Sequence, residues 1–161
     1  MCILADGDIT RSLERRELAI LPFTEKHLTP NGYDLTVAEV LVPPGPKVAE
    51  GTARVPPKTW FAVSTAERVE LGPGLAAQLW IRSSYARKGV LAAFGKVEAG
   101  FHGTLTIGAF HAGAVPLELP IGERFCQIVF ERMASLPQKL YAERSGTYQD
   151  QRGVTLAKDK P

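Results

Sequence analysis

The sequence predicts a mainly β fold, arranged as a sandwich, a barrel or a jelly roll, with one short helix at the N-terminus. Short runs rich in Val, Phe, Trp and Leu recur along the chain, and turns containing Gly or Pro separate them roughly every ten residues. The length of 161 residues and the hydrophobic fraction of 45% suit one domain with a full core. We therefore expect a single β-rich domain.

The helix is predicted where the segment ITRSLERREL follows two acidic residues. Either Asp6 or Asp8 could cap its N-terminus, and Ile9 and Leu13 lie four residues apart on one face. The arginines on the other face are interpreted as solvated, with a cationic arm that reaches a phosphate as the alternative.

The strands are predicted from alternating apolar residues and from the turns between them. Asp34 lies near the start of the first clear strand, just beyond a Pro-Asn-Gly turn. The Pro- and Gly-rich segment 40–59 is interpreted as a hairpin or a long loop. A short extended piece is predicted at residues 20–23, and strands at 33–37, 60–65, 68–71, 76–81, 104–110, 115–119 and 125–130.

The polar segment that begins near Tyr141 shows no periodicity. Its composition favours a frayed terminus. Its aromatic residues and glutamines also suit a mobile flap that orders over a ligand, and composition does not decide between these alternatives.

Composition and charge exclude several classes of protein. The net charge is +2 with basic and acidic residues interspersed, so no nucleic-acid-binding stripe is predicted. No apolar run approaches the roughly 20 residues of a membrane span, and the N-terminus lacks the pattern of a secretory signal. Cys2 and Cys126 are far apart, which predicts neither a disulfide framework nor a zinc site. We expect a cytoplasmic protein that binds neither nucleic acid nor membrane.

The candidate chemistry is concentrated in the segment RSSYARKGVLAAFGKVEAGFHG, residues 82–103. Arginine offers a planar fork of donors to phosphate oxygens, and serine hydroxyls at a turn can complete an anion-binding site. If the chain turns between Arg82 and Arg87, both guanidinium groups can point at one anion, with Ser83 and Ser84 between them. The alternative is an exposed strand end with ordinary surface arginines.

Further candidates lie outside this cationic cluster. Glu98 is a carboxylate in a glycine-rich apolar stretch, where it could orient a water for attack or simply face solvent. Gln127 interrupts the apolar run RFCQIVF, and a buried amide there needs a partner, which a ligand or a neighbouring subunit could supply. His102 and His111 are interpreted as surface or core-rim residues outside the chemistry.

Four segments together resemble the motifs of the dUTPase and dCTP deaminase superfamily. The N-terminal segment ILADGDITRSLERREL and the tail segment GTYQDQRGVT are similar to its deaminase-like branch, which archaeal dUTPases share. The four segments, in chain order, are NGYDL (31–35), RSSYARKG (82–89), VEAGFHGTLT (97–106) and GERFCQIVF (122–130).

The resemblance implies a β-clip, a distorted jelly roll, at residues 1–140, with residues 141–161 as a C-terminal flap over the active site in the same domain. It also implies a homotrimer with active sites between subunits. The implied ligand is a deoxyuridine or deoxycytidine triphosphate with Mg²⁺, which triphosphate oxygens and waters would hold, with Asp34 as a possible ligand through water.

The resemblance also assigns roles by motif position. Glu98 stands where the family usually has an Asp that meets the 3′-hydroxyl and, in dUTP hydrolysis, activates the attacking water. Arg87 would lie near the reacting centre, and the backbone of residues 93–96 would hold the base edge. The implied phosphate contacts are Arg82, Ser83, Ser84 and Gln127, and the residues implied to close over the site from the tail are Tyr141, Tyr148, Gln149 and Gln151.

The sequence departs from the family pattern at three positions. Gly108 stands where the deaminases carry the glutamate that shuttles protons to C4 of cytosine, so that His111 or another neighbour would have to take over this role. Glu98 replaces the usual Asp, and Thr147 replaces a common Lys in the tail.

The connection between Gly89 and Glu98 is short, as in the archaeal dUTPases. With the loss of the deaminase glutamate, this favours a dUTP diphosphatase, which would form dUMP and diphosphate. A dCTP deaminase, or a bifunctional deaminase and dUTPase, is the first alternative. A non-catalytic dNTP-binding protein is the second.

Overall fold

One long, curled antiparallel sheet dominates the structure, and the predicted mainly β fold with a short N-terminal helix is confirmed. The computed structural model describes residues 2–157. The helices are α1 (Asp6–Glu14), α2 (Ser83–Ala86) and α3 (Tyr141–Arg144), with a 3₁₀ turn at Glu25–His27. The strands are β1 (Cys2–Ile3), β2 (Leu18–Leu21), β3 (Leu28–Thr29), β4 (Gly32–Leu41), β5 (Lys47–Val48), β6 (Thr52–Val55), β7 (Thr59–Thr65), β8 (Arg68–Leu71), β9 (Leu75–Ile81), β10 (Val90–Ala93), β11 (Lys96–Val97), β12 (His102–Gly103), β13 (Thr106–His111), β14 (Leu117–Pro120) and β15 (Arg124–Arg132).

The main sheet has the strand order β10-β13-β7-β4-β15-β9-β11. Strand β4 joins its two halves, because its first half pairs with β15 and its second half pairs with β7. The register shifts between Val37 and Glu39, an irregularity that bends a strand and increases its twist. Two smaller sheets, β12-β8-β2 and β14-β6, complete the fold.

The core fills the inside of this curled sheet with large apolar side chains. Phe125 is buried in this core, and its ring centroid lies 6.4 Å from that of Phe61 and 5.1 Å from that of Tyr85. Tyr85 belongs to α2, so its burial fixes the short helix that follows β9. The core therefore holds the serine-bearing turn in place against the end of the sheet.

Helix α1 begins where the sequence predicts, but the predicted acidic cap is wrong. Ala5 occupies the N-cap in an extended conformation and offers no side-chain hydrogen bond. Asp8 instead accepts a hydrogen bond from the Ala5 backbone N–H at 3.3 Å. An acid three residues into the helix thus supports the start of the helix from within. Ile9 is fully buried, as its spacing predicts.

Segment 40–59 contains the predicted hairpin, since β4 pairs with β5 in antiparallel register, but it also forms a strand that the sequence did not predict. β4 extends to Leu41, and β5 and β6 form within the segment. β6 pairs with β14, which places Val55 opposite Leu117, and both side chains are buried. Since the partner strand lies far along the chain, the local Pro and Gly content could not reveal the pairing.

The described part of the tail is not frayed. Val154 is buried, and backbone hydrogen bonds join Tyr141 to Ala99, Asp150 to His102 and Thr104 to Gln151. The tail thus runs along the chain's own residues 99–106. Residues 158–161 of the predicted flap, and Met1 of the predicted β domain, lie outside the described residues. Within residues 2–157, no helix is both long enough and apolar enough to cross a membrane.

Candidate active site

All four predicted phosphate-binding residues come together beside the end of β9. Arg82, Ser83, Ser84 and Gln127 line one open cavity of about 350 Å³, and both serine residues are exposed to it. Gln127 faces the cavity from β15, which pairs with β9 in a register that sets Gln127 opposite Trp80. The structure therefore brings the second and fourth motifs together.

Asp34, from the first motif, organises the cations of this cavity. Its side chain is 6% exposed, and its Oδ2 lies 3.0 Å from Arg82 Nε and 3.4 Å from Arg124 Nη1. Arg82 Nη1 also donates to the backbone oxygen of Arg124 at 3.2 Å. This fixed guanidinium loses little further freedom on meeting a phosphate. The predicted contact of Asp34 with Mg²⁺ through water stays a prediction.

The glycine of the first motif is required by a close approach between β4 and β15. A Cβ placed on Gly32 would lie 2.5 Å from the backbone oxygen of Ile128 and 3.0 Å from Gln127 Cγ. Gln127 Nε2 donates to Thr29 Oγ1 at 2.8 Å. Its amide oxygen accepts no hydrogen bond from residues 2–157 and is available to a donor on a ligand.

Glu98 lies at the other end of β9 in a single chain. It is exposed and lines a second cavity of about 540 Å³, which it shares with Lys96, Tyr141 and Arg144. Its carboxylate forms no ion pair or hydrogen bond with another described residue. The preceding residue, Val97, pairs with Ala77, five residues before Arg82, a separation of roughly 16 Å along a strand. One chain therefore does not bring the carboxylate to the arginines.

Arg87 is likewise not brought to Arg82 within one chain. The predicted turn between them exists as α2, and Arg87 is its C-cap residue. Its side chain is exposed and does not line the cavity that contains Arg82. Its role near a reacting centre stays a prediction.

Gly108 lies on β13, opposite Ala62 on β7 and Ala93 on β10. His111 cannot replace the missing glutamate, because it is buried on the opposite face of β13. There its Nε2 lies 2.7 Å from the backbone oxygen of Val115. The suggestion that His111 takes over the proton transfer is therefore wrong.

The predicted tail residues contact the third motif of their own chain. Gln149 Nε2 donates to Gly100 O at 3.0 Å, and Gln151 Nε2 donates to Thr104 O at 2.8 Å. Tyr141 packs against Phe101 with ring centroids 5.6 Å apart, and its hydroxyl accepts a hydrogen bond from the backbone N–H of Tyr148. The tail thus lies beside the cavity that contains Glu98.

Three titratable residues that the sequence did not indicate make contacts close to the first motif or to the tail. Burial raises the pKa of the Glu67 carboxyl, which accepts hydrogen bonds from the backbone N–H and the hydroxyl of Thr36, both at 2.9 Å. Burial also lowers the pKa of His27, whose Nδ1 lies 3.9 Å from Glu67. Hydrogen bonds from Arg68 and His102 lower the pKa of Asp150, which anchors the tail.

The donor set suits an anion better than a directly bound metal. Among residues 2–157, no group of three or more His, Cys, Asp or Glu side chains could hold a metal ion. Asp34 is already engaged by guanidinium groups. A magnesium ion held by phosphate oxygens and waters fits these residues.

Comparison with known proteins identifies the class of protein. A family model described as dCTP deaminase-like matches residues 44–133. A dCTP deaminase of Pyrococcus horikoshii is 39% identical over 149 residues, covering 91% of this chain and 94% of the relative. A probable deoxyuridine 5′-triphosphate nucleotidohydrolase of Sulfolobus islandicus rod-shaped virus 1 is 34% identical, covering 98% of this chain and 99% of the relative.

Solved structures agree on the fold. The dCTP deaminase of Agrobacterium tumefaciens superposes with a TM-score of 0.68 at 22% identity, covering 82% of this chain and 48% of that one, so the match spans about half of that deaminase. The dUTPase of Staphylococcus bacteriophage 80alpha gives a TM-score of 0.54 at 20% identity over 76% of this chain and 94% of that one.

These matches confirm the predicted dUTPase-like fold. The chain belongs to the dCTP deaminase-like family. It is a member of an enzyme family that includes both dCTP deaminases and dUTPases.

Proposed function

We propose that this protein is a dUTP diphosphatase, which converts dUTP and water into dUMP and diphosphate. The observation that carries the proposal is Gly108, which has no acid-base group at the position of the deaminase glutamate. The indole of Trp60 lies at van der Waals distance from where a Cβ of residue 108 would be, and His111 faces the other way. Removal of a general acid-base typically slows a reaction by roughly 10²–10⁴-fold.

The residues that hydrolysis needs are present. Glu98, unpaired among the described side chains, would take a proton from a water as the water oxygen forms a bond to the α-phosphorus. The bond from that phosphorus to the oxygen bridging the β-phosphorus would break, and diphosphate would leave. Arg82 and Arg87 would stabilise the charge on the phosphate oxygens. Magnesium, when bound to the triphosphate, would neutralise further charge.

The magnesium requirement and the trimer are part of this proposal. A dUTPase from phage phi11 of S. aureus, with a TM-score of 0.56 and 19% identity, is described with a structural Mg(II) ion. The separation of Glu98 from Arg82 along β9 supports an active site that a second subunit completes. A cytoplasmic location stays a prediction from the sequence.

A dCTP deaminase is the second candidate, alone or combined with dUTP hydrolysis. The names of relatives favour it, since those from Pyrococcus and Thermococcus species are called dCTP deaminases and one from Aquifex aeolicus is called a dUMP-forming dCTP deaminase. A deaminating site in this chain would need a proton carrier other than residue 108.

The two functions separate in one assay. Purified protein is incubated with dUTP or with dCTP in the presence of Mg²⁺, and the nucleotides are resolved by ion-exchange chromatography. We expect dUMP and diphosphate from dUTP and no uracil nucleotide from dCTP. Formation of dUTP or dUMP from dCTP would replace the proposal with the deaminase.

The same assay tests the role of Glu98. Glu98→Gln keeps the shape of the side chain and removes its basicity, so we expect dUMP formation to fall by roughly 10²–10⁴-fold. Glu118→Gln, at an exposed acid paired with Arg54 on β6, is the matched control and should retain full activity. Stabilisation by dUTP without any product would identify a non-catalytic binder.

A further inference from the structure

An apolar stripe crosses the outer face of the sheet at one end of the main strand series. Leu91 on β10, Phe110 on β13 and Trp60 on β7 lie directly opposite one another in register. Their exposed fractions are 62%, 38% and 43%. Three large apolar side chains aligned and open to solvent are uncommon on a sheet face that nothing contacts.

Trp60 reaches from this stripe over Gly108. A Cβ placed on Gly108 would lie 3.5 Å from Trp60 Nε1 and 3.6 Å from Cζ2, at ordinary van der Waals contact. The edge of the indole that carries Nε1, Cε2 and Cζ2 therefore lies over residue 108. The indole of Trp60 thus lies above Gly108, where the chain has no side chain of its own.

The indole changes the chemistry available at this position. A tryptophan Nε1–H is a donor only, whereas a carboxylate accepts protons and hydrogen bonds. Trp60 Nε1 donates to no acceptor among residues 2–157, and the residue is 43% exposed, so an acceptor on a ligand can meet it. Ala93, opposite Gly108, begins the segment 93–96 that family resemblance assigns to the base edge.

An indole N–H donor at this position would distinguish uracil from cytosine. Uracil carries an acceptor oxygen at C4, while cytosine carries an amino group whose hydrogens are donors. An indole N–H can bond to the uracil oxygen, but it meets the cytosine amino group donor to donor. A site built to hydrogen-bond one group discriminates strongly against an analogue that lacks it.

We propose that Trp60 is a specificity-determining residue, whose Nε1–H donates a hydrogen bond to O4 of a uracil base and disfavours cytosine. The inference rests on the proposed function, because it takes the site to bind a pyrimidine deoxynucleotide. It goes further in assigning base selection to a residue outside the four motifs.

The test compares binding of two non-hydrolysable nucleotides, the α,β-imido analogues of dUTP and dCTP, by calorimetry. Trp60→Phe keeps an aromatic ring over Gly108 and removes the N–H donor. We expect the preference for the dUTP analogue to fall by about 10- to 100-fold, mainly through weaker binding of that analogue.

Trp80→Phe is the matched control. Trp80 lines the cavity that contains Arg82, Ser83 and Ser84, so its replacement should affect both analogues alike and leave their ratio unchanged. A Trp60→Phe variant with an unchanged ratio overturns the inference, even if both affinities fall together, because packing against a second copy of the chain would produce that result.

A measurement on the unmodified protein guards against a variant that fails to fold. The chain has only two tryptophans, so its two indole ¹H–¹⁵N signals can be assigned with Trp80→Phe. The Trp60 signal should move downfield with the dUTP analogue and not with the dCTP analogue. An equal response to both overturns the inference. Because these readouts need no turnover, absence of dUTP hydrolysis would remove the proposed function without deciding the role of Trp60.

Discussion

Asp34 is the residue that most directly organises the cavity lined by Arg82, Ser83, Ser84 and Gln127. It is nearly buried and lies between the guanidinium groups of Arg82 and Arg124. A nearly buried carboxylate in this position holds a cation that also faces this cavity. Its structural and functional contributions can be separated by experiment.

We predict that Asp34→Asn weakens the binding of dUTP and lowers the stability of the fold. The neutral amide keeps the volume but loses the charge that holds Arg82, so the KM for dUTP should rise about tenfold with a smaller change in kcat. The free energy of unfolding should fall by about 1–2 kcal/mol, since the arginines are partly exposed. Steady-state kinetics and urea unfolding at fixed protein concentration provide the measurements.

Asp8→Asn is the matched control, because Asp8 pairs with Arg11 on the exposed face of α1 and asparagine keeps an oxygen that can accept from the Ala5 N–H. An exposed pair contributes at most about 1 kcal/mol, and often much less. If Asp34→Asn is as mild as Asp8→Asn in both measurements, Asp34 does not organise the cavity.

Some of these residues could be predicted from the sequence and others could not. Arg82, Ser83, Ser84 and Gln127 meet in one cavity because they lie in motifs whose order and spacing were recognisable. Arg124 was missed although it lies in the fourth motif, since a guanidinium beside an apolar run also suits a solvated position. No feature of the neighbouring sequence identifies Glu67, because its burial depends on contact with β4, which lies elsewhere in the chain.

At the level of elements, the tail is the segment whose structure the sequence predicted least well. Its composition is that of a frayed terminus, yet its polar groups pair with the backbone of residues 99–106. Glu39 accepts a hydrogen bond from the backbone N–H of Val154, and Lys47 donates one to the Val154 oxygen at 2.9 Å. The strands at 60–65, 68–71 and 76–81 were predicted well because alternation is local, whereas these tail contacts join distant segments.

We predict that Glu39→Ala loosens the end of the tail. The backbone N–H of Val154 loses its acceptor, so amide hydrogen exchange at residues 154 and 155 should speed up about tenfold. Amides in β9 and β15 should keep their protection. Hydrogen–deuterium exchange with mass spectrometry makes the measurement, and Glu118→Ala is the exposed control. Unchanged exchange at residues 154 and 155 would show that other contacts hold this segment.

At the level of the whole molecule, the arrangement along β9 determines how many chains the proposed active site would need. Glu98 lies near one end of this strand and Arg82 follows the other end. The proposed mechanism requires them together, so the two must come from different copies. This separation could not be predicted from motif order, which places the second and third motifs close together in the chain.

We predict that two inactive variants restore activity when their subunits mix. Glu98→Gln removes the base, and Arg82→Gln removes the phosphate ligand while Asp34 keeps Arg124 as a partner. In randomly mixed cyclic trimers, about a quarter of the sites would combine an intact Glu98 with an intact Arg82. Co-refolded equimolar variants should therefore show about a quarter of wild-type dUTP hydrolysis.

Mixing Glu98→Gln with Glu98→Ala is the control, since no combination of these chains restores the base. Native mass spectrometry establishes that mixed oligomers have formed. Mixed oligomers without recovered hydrolysis would rule out an active site shared in this way.

The placement of chemical groups at both ends of β9 has a further consequence for cells that carry a damaged copy of the gene. In the proposed assembly, each chain lends one end of the strand to one catalytic centre and the other end to its neighbour's. A chain with a distorted β9 would then disable two of the three active sites in its trimer. A mutation of this kind should behave as dominant, because a minority of faulty chains removes more than its share of the activity.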